Sequence, residues 1–285
     1  MPEEAPGRVL VAGAGGSLGR AVTRLLGGRA VPLTHAELEV GDTLAVALAF
    51  AEARPSLVVN CVAATDVDRC ETDAAYREAG NVVGPANLAR AAAEAGCGLV
   101  HVSTDFVFDG EKGAAYTEED EPRPLNAYGE SKLAGEREVL ASGAEVLVVR
   151  SSWVYGDGRS GFPAKVLAWS EESDRLRVAA DRWGSPTFAE DLATGLLGLW
   201  EAGGRGLFHL AGEGCASRFD LATATLGAAG RGTEAEPAGA GEFPLRAARP
   251  RATCLDCSRA AAHGVRLPEW RDGLMRWAAK RDALR

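Results

Sequence analysis

Apolar positions in the first half of the chain fall in two alternating rhythms. Short, nearly continuous apolar runs read as strands buried on both faces: "RVLVAG" from residue 8, "AVPL" from 30, "SLVVNCV" from 56, "GLVHVS" from 98 and "EVLVVR" from 145. Between them the period lengthens. Leu18, Ala21, Val22, Leu25 and Leu26 repeat at helical spacing and predict a helix with one buried face. Asp42 is placed to cap a helix running toward Arg54, with Pro55 as its stop, and a helix from Pro85 to Ala95 ends at Gly96. A further helix carries Tyr128. This alternation predicts an α/β chain whose parallel sheet is covered on both faces.

Beyond residue 150 the order loosens. "GDGRSG", "EAGGRG" and "AGEGCA" are turn-rich, and "RGTEAEPAGAGEFP" reads as an exposed loop. Regular structure returns at the end, where Trp270, Leu274, Trp277 and Ala278 share one helical face.

Composition narrows the function. A net charge of −9 over 285 residues argues against nucleic-acid binding, which needs a basic stripe to displace counterions from phosphates. No apolar run is long enough to span a membrane, and the start of the chain is acidic before it is apolar, so neither a membrane anchor nor a signal peptide is expected. The expected location is the cytoplasm. The six scattered cysteines are accordingly expected as reduced thiols, including Cys254 and Cys257 of "CLDC". No spacing among the acidic residues marks a metal site.

"GAGGSLG" follows the first strand and opens the first helix. Glycines at 13, 16 and 19 allow a tight turn, bring bare backbone to a pyrophosphate and pack the helix closely on the sheet. The helix N-terminus adds N–H groups that favour anions. An acid that would hold the ribose 2′-hydroxyl of NAD is expected at the end of the second strand, but Thr34 and His35 stand there. Such a site admits the 2′-phosphate of NADPH, with Arg20 as a candidate helper, and leaves NADH open; His35 can equally be a loop residue with no contact.

Tyr128 and Lys132 carry the sharpest signal. The chain has 31 basic residues, yet lysine stands only at 112, 132, 165 and 280, and there are just four tyrosines. A chance Tyr-x-x-x-Lys pair is expected far less than once, and on a helix that spacing puts both side chains on one face. A phenol exchanges its proton sluggishly at neutral pH unless its anion is stabilised, which an ammonium one turn away does. Thr104, just past a strand end, can donate a hydrogen bond to the same reacting oxygen. The chemistry that fits is carbonyl reduction, with Tyr128 as proton donor.

These segments resemble the extended short-chain dehydrogenase/reductases, and more narrowly the dTDP-4-dehydrorhamnose reductase family. The resemblance runs over almost the whole chain, through "GAGGSLG", "VVNCVAATDVDRCE", "STDFVFDG", "PLNAYGESKLAGE", "RSSWVYG" and "DRWGSPT". It implies a Rossmann-like, doubly wound parallel sheet with a smaller C-terminal substrate-binding domain. Residues 1–150, rejoined by about 186–212, would bind the dinucleotide, and 151–285 would mainly bind substrate. Gly16, Ser17 and Leu18 would meet the pyrophosphate, Glu39 and Val40 the adenine region, and Ala63, Ala64 and Thr65 would run along the cofactor. Thr104, Asp105 and Phe106 would face the sugar, and Trp153 would pack on the substrate. Phe106 and Arg182 depart from the family's usual tyrosine and glutamine, which leaves the exact sugar open.

The implied activity is NAD(P)H-dependent reduction of the 4-keto group of a dTDP-6-deoxyhexose, giving dTDP-L-rhamnose, by a monomer or homodimer. Three alternatives stand beside it. One is a ketoreductase of another nucleotide-deoxysugar pathway, and another is an epimerase or dehydratase using Asp105. The third is a regulatory subunit resembling the β subunit of methionine adenosyltransferase.

Overall fold

The computed structural model describes residues 7–157 and 161–283, so the acidic start of the chain and part of "GDGRSG" lie outside the described residues. β1 (Val9–Ala12) and β3 (Leu57–Asn60) are buried at every position. That follows from their runs of Val and Leu, which no amphipathic strand would carry, and the one polar member, Asn60, is buried with its amide bonded to His101. With β2 (Ala30–Leu33), β4 (Gly98–Thr104), β5 (Glu145–Ser151) and a last strand, Gly206–His209, they form one six-stranded sheet. Its order is Gly206–His209, β5, β4, β3, β1, β2, with every pairing parallel.

Alternate residues of these strands feed two cores. Val9, Val11, Leu57, Val59, Leu147 and Val149 pack with α1 (Ser17–Leu26) and the Ala189–Glu201 helix. Leu10, Ala12, Val58, Leu99, Val146 and Val148 pack with α2 (Thr43–Ala53) and the Gly84–Ala95 helix. Leu25, expected on the buried face of α1, is exposed. The Asp42 carboxylate caps α2 by accepting from the N–H groups of Leu44 and Ala45, and Gly96 closes its helix at φ 63°.

The direction of winding reverses at β1, which has β2 on one side and β3 on the other. In such sheets ligands bind past the carboxyl ends of the strands at that switch point. The glycine turn after β1 and the Cys61–Thr65 segment after β3 both lie there.

The remainder builds a smaller layer. Arg175–Ala179 pairs in parallel with Glu234–Ala238, so the stretch expected as a loop contains a strand. Pro237 is tolerated because this two-stranded ribbon consists only of edges. The C-terminal Trp270–Ala283 helix buries Trp270, Leu274, Trp277 and Ala278 as its periodicity requires, against Tyr155 and Phe188. Trp277 Nε1 donates to the Gly156 carbonyl at 2.8 Å. Cys215 and Cys254 form a disulfide with Cα atoms 5.7 Å apart, which corrects the expectation of reduced thiols for these two. Their segments meet because the Trp183–Gly184 strand binds Ala216–Ser217 on one side and bridges to Ala252 on the other. Cys61, Cys70, Cys97 and Cys257 are free. Among the described residues no helix is long and apolar enough to cross a membrane.

Candidate active site

The Ala127–Leu140 helix explains the "NAYGESKLAGE" stretch residue by residue. Asn126 caps it, accepting from the Gly129 N–H at 2.8 Å. Gly129 is required by contact: a Cβ there would stand 2.2 Å from the Phe106 carbonyl oxygen. The first turn of the helix therefore rests directly on the chain leaving β4. At Gly135 a Cβ would be 2.0 Å from the Asn81 carbonyl, and the Asn81 amide donates to Ser131 Oγ at 3.0 Å. These close approaches press the helix onto the chain leaving β4 and onto the helical segment Ala79–Val83, and the face between them carries Tyr128 and Lys132.

Tyr128 is 9% exposed and Lys132 1%. Burial pushes the Tyr128 phenol up, so that it keeps its proton, and a hydrogen bond with Thr104 acts against that shift. The Lys132 ammonium donates to the Val102 carbonyl at 2.7 Å. Burial lowers its pKa to about 8, with Glu136 opposing. Phe106 packs edge-on against Tyr128, with ring centroids 5.8 Å apart.

Thr104 donates its single hydroxyl proton to Asp105 Oδ1 at 3.1 Å. Its bond with Tyr128 favours the phenolate, the sense of a bond in which the Tyr128 oxygen accepts, so Asp105 and Tyr128 share one hydroxyl proton. Asp105 is 2% exposed and gathers hydroxyls from three parts of the chain. Ser152 donates to it at 2.9 Å, and Thr253 donates as well. Burial pushes the Asp105 carboxyl up, and the three hydroxyls together with Arg218 act against it. Asp105 thus ties β4, the segment after β5 and a late C-terminal loop into one node.

A cavity of about 610 Å³ opens beside this node, bounded by Phe106, Trp153, Arg182, Trp183, Arg218 and Thr253 among others. Trp153 adopts φ 45°, a left-handed conformation that bulky residues reach only when their surroundings hold them there. Gly184 makes room for the indole, since a Cβ would lie 2.5 Å from it. The Arg218 guanidinium lies 3.5 Å from the centre of the Trp153 ring. Burial lowers the pKa of Arg218 to about 10, with Asp105 opposing. Arg249, also on the cavity wall, pairs with Asp68 at 3.1 Å, and Arg177 pairs with Glu242.

The glycine turn lies at the neighbouring strand ends. Gly13 has φ 79°, and a Cβ on Gly19 would lie 2.2 Å from the Gly13 carbonyl, so these two glycines serve the turn and its packing. Gly16 is exposed at the head of α1, which has no side-chain cap, and Ser17 and Leu18 open the helix. Ala64 is buried, its N–H donating to Asn81 at 2.8 Å, while Ala63 is partly buried and Thr65 is exposed. Glu39 is exposed and accepts from the Gly41 N–H at 3.0 Å. Val40 is in the core, so only its backbone can meet a ligand.

A second cavity, about 380 Å³, is lined by Ala14, Arg20, Arg24, Thr34 and Glu37 among others. Arg20 is tied to Asp157 at 3.2 Å, and His35 is exposed, 3.7 Å from Glu39. The acid missing from the end of β2 in the sequence reading stands three residues further on. Glu37 folds back to accept from the Thr34 N–H at 2.8 Å and hydroxyl at 2.7 Å.

Ser152, Thr253, Arg218 and Glu37 went unnoticed in the sequence. Ser152 lies inside the quoted "RSSWVYG", and a Glu three residues past a strand-end Thr is a signal for Glu37. Thr253 and Arg218 have no local signal. Among the described residues no group of three or more His, Cys, Asp or Glu side chains is placed to hold a metal ion.

Residues 7–282 match the family model described as "RmlD substrate binding domain". The chain is 40% identical over 276 residues to the dTDP-4-dehydrorhamnose reductase of Mycolicibacterium smegmatis, covering 94% of this chain and 84% of that protein. It superposes on the crystal structure of a dTDP-4-dehydrorhamnose reductase from Clostridium acetobutylicum with a TM-score of 0.93 at 34% identity, over 96% of this chain and 99% of that one. The Bacillus anthracis dTDP-4-dehydrorhamnose reductase in complex with NADP gives a TM-score of 0.93 at 30% identity, over 97% and 100% of the two chains. With the match spanning nearly every described residue, the chain belongs to the RmlD substrate binding domain family.

Proposed function

We propose that this protein is an NADPH-dependent oxidoreductase that reduces dTDP-4-dehydro-L-rhamnose to dTDP-L-rhamnose. The observation that carries the reading is the meeting of Tyr128, Lys132 and Thr104 at the carboxyl end of β4, beside a cavity walled by aromatic rings and arginines. The relatives bear the same activity in their names, and one was solved with NADP.

The residues present fit a dinucleotide. Gly16 exposes bare backbone at an uncapped helix N-terminus, and Lys132 holds a buried cation near the strand ends. Gly13, Gly16, Ser17, Leu18 and Gly19 would hold the pyrophosphate end. Glu39, Val40, Ala63, Ala64, Thr65, Tyr128 and Lys132 would complete the cofactor site. When bound, NADPH supplies the hydride for the sugar carbonyl carbon.

Tyr128 gives its proton to the carbonyl oxygen as negative charge develops there. Lys132 stabilises the phenolate left behind, because a buried ammonium acts through a low dielectric. Thr104 hydrogen-bonds the Tyr128 oxygen and fixes its direction, which leaves the phenolic proton for the carbonyl. Asp105 holds Thr104 in that orientation, and Phe106 closes the site against water. Trp153 packs on the sugar nucleotide, and Arg218 pairs with its diphosphate, since a planar guanidinium suits phosphate oxygens.

Residues 1–150 with about 186–212 form the cofactor half in this reading, and most of 151–285 the nucleotide-sugar half. The protein works in the cytoplasm, as a monomer or homodimer, without nucleic acid or membrane. Labelled cofactor tests the reading. NADPH carrying deuterium at the transferred position should place the label at sugar C4 of a rhamnose product; label at no sugar carbon, with the sugar unreduced, contradicts it.

A further inference from the structure

The segment from Pro244 to Pro250 forms one wall of the large cavity, through Leu245, Ala247, Ala248 and Arg249 among others. It belongs to no helix or strand, and Leu245, Arg246 and Ala248 are exposed. A stretch with no ladder of its own satisfies its backbone groups elsewhere, and its position is set by whatever does so. Here the partners come from the first half of the chain.

Asp68 supplies one attachment. It stands on the short Val67–Cys70 helix, just after the Ala63–Thr65 segment. Its Oδ1 accepts from the Ala247 N–H at 2.8 Å, and its Oδ2 accepts from Arg249 Nη2 at 3.1 Å. Arg249 Nη1 in turn donates to the Ala247 carbonyl at 3.0 Å. Carboxylate and guanidinium thus grip residue 247 from both sides, and Ala247 is buried between two exposed neighbours.

Asn126 supplies the other. Its Oδ1 caps the Tyr128 helix, and its Nδ2 donates to the Ala248 carbonyl at 2.8 Å. One buried amide therefore joins the cavity wall to the turn that carries Tyr128. Asp68 belongs to a different helix and can be changed without uncapping that turn.

We propose that Asp68 is a positioning residue for substrate: its carboxylate latches the 244–250 strap onto the cofactor half, so that this wall of the cavity is in place before the nucleotide-sugar arrives. This rests on the reading of the cavity as the nucleotide-sugar site of a reductase. Wild-type turnover that is lost in Tyr128→Phe tests that reading separately.

Steady-state kinetics and fluorescence titration of NADPH compare the wild type with Asp68→Ala and Asp68→Asn. Without its anchor the strap is in place only part of the time, and apparent substrate affinity falls by that fraction. In Asp68→Ala, KM for dTDP-4-dehydrorhamnose should rise by about tenfold, with kcat and NADPH affinity held within about twofold. Asp68→Asn keeps an acceptor for the Ala247 N–H but loses the charge facing Arg249, and should fall between the two.

Limited trypsin digestion reads the strap without turnover. The bond after the exposed Arg246 includes the Ala247 nitrogen that Asp68 holds. Its cleavage should quicken several-fold in Asp68→Ala and slow again with dTDP. An unchanged KM in Asp68→Ala overturns the proposal, whatever the cleavage rate. A rise in KM matched by equal losses of kcat and NADPH affinity overturns it too, because that is what a merely structural role would give.

Discussion

Thr104 has one hydroxyl proton and two neighbours, Asp105 and Tyr128, that draw on it, and this decides its role. Because Asp105 takes the proton at 3.1 Å, replacing the hydroxyl by a methyl group leaves both Tyr128 and Asp105 short of a partner. Thr104→Val should lower kcat by about tenfold, the worth of roughly one hydrogen bond, with little effect on cofactor affinity measured by fluorescence titration. An unchanged kcat would remove Thr104 from the site. Tyr128 and Lys132 were legible from sequence because their relation is local, four residues on one helix. Thr253 and Arg218 were not. Thr253 reaches Asp105 across 148 residues, and only the packed fold brings a late loop beside an early strand.

The Tyr128 helix is positioned by absent side chains as much as by present ones. A Cβ at Gly129 would collide with the Phe106 carbonyl, a backbone atom with no freedom to retreat. Gly129→Ala should therefore lift the helix from the 104–106 segment. It should cost about 1–3 kcal/mol of stability and a larger share of kcat than of thermal stability, checked by melting and steady-state kinetics on one preparation. Normal kcat in a stable Gly129→Ala protein would contradict the packing argument. Strands and helices of the first half were readable because each carries its own apolar period and its own start or stop signal, such as the cap Asp42 and the stops Pro55 and Gly96. The Glu234–Ala238 strand was not, since its Glu, Pro and Ala read as loop and its pairing partner lies some 60 residues earlier.

Over the whole molecule, parallel strands alternating with helices prescribe a sheet covered on both faces, and the right-handed crossover rule leaves few strand orders. The disulfide was beyond that reasoning. Cysteine spacing does not reveal that residues 215 and 254 flank the same short strand, and cytosolic chemistry argued for free thiols. The structure predicts four titratable thiols in protein unfolded without reductant and six after reduction. Closing a loop of 39 residues contributes about 4 kcal/mol on the chain-entropy model, so reduction should lower the melting temperature. Six thiols titrating without reductant would contradict the pairing.

The reductase reading joins all three scales, and one assay reaches it most directly: the loss of reduced-nicotinamide absorbance when purified protein meets dTDP-4-dehydrorhamnose and NADPH, for the wild type and Tyr128→Phe. Rapid oxidation by the wild type, with kcat reduced by about 10²- to 10⁴-fold in the variant and cofactor affinity retained, is the expected result. No oxidation by folded wild-type protein that binds NADPH, or equal rates in the two proteins, would contradict it.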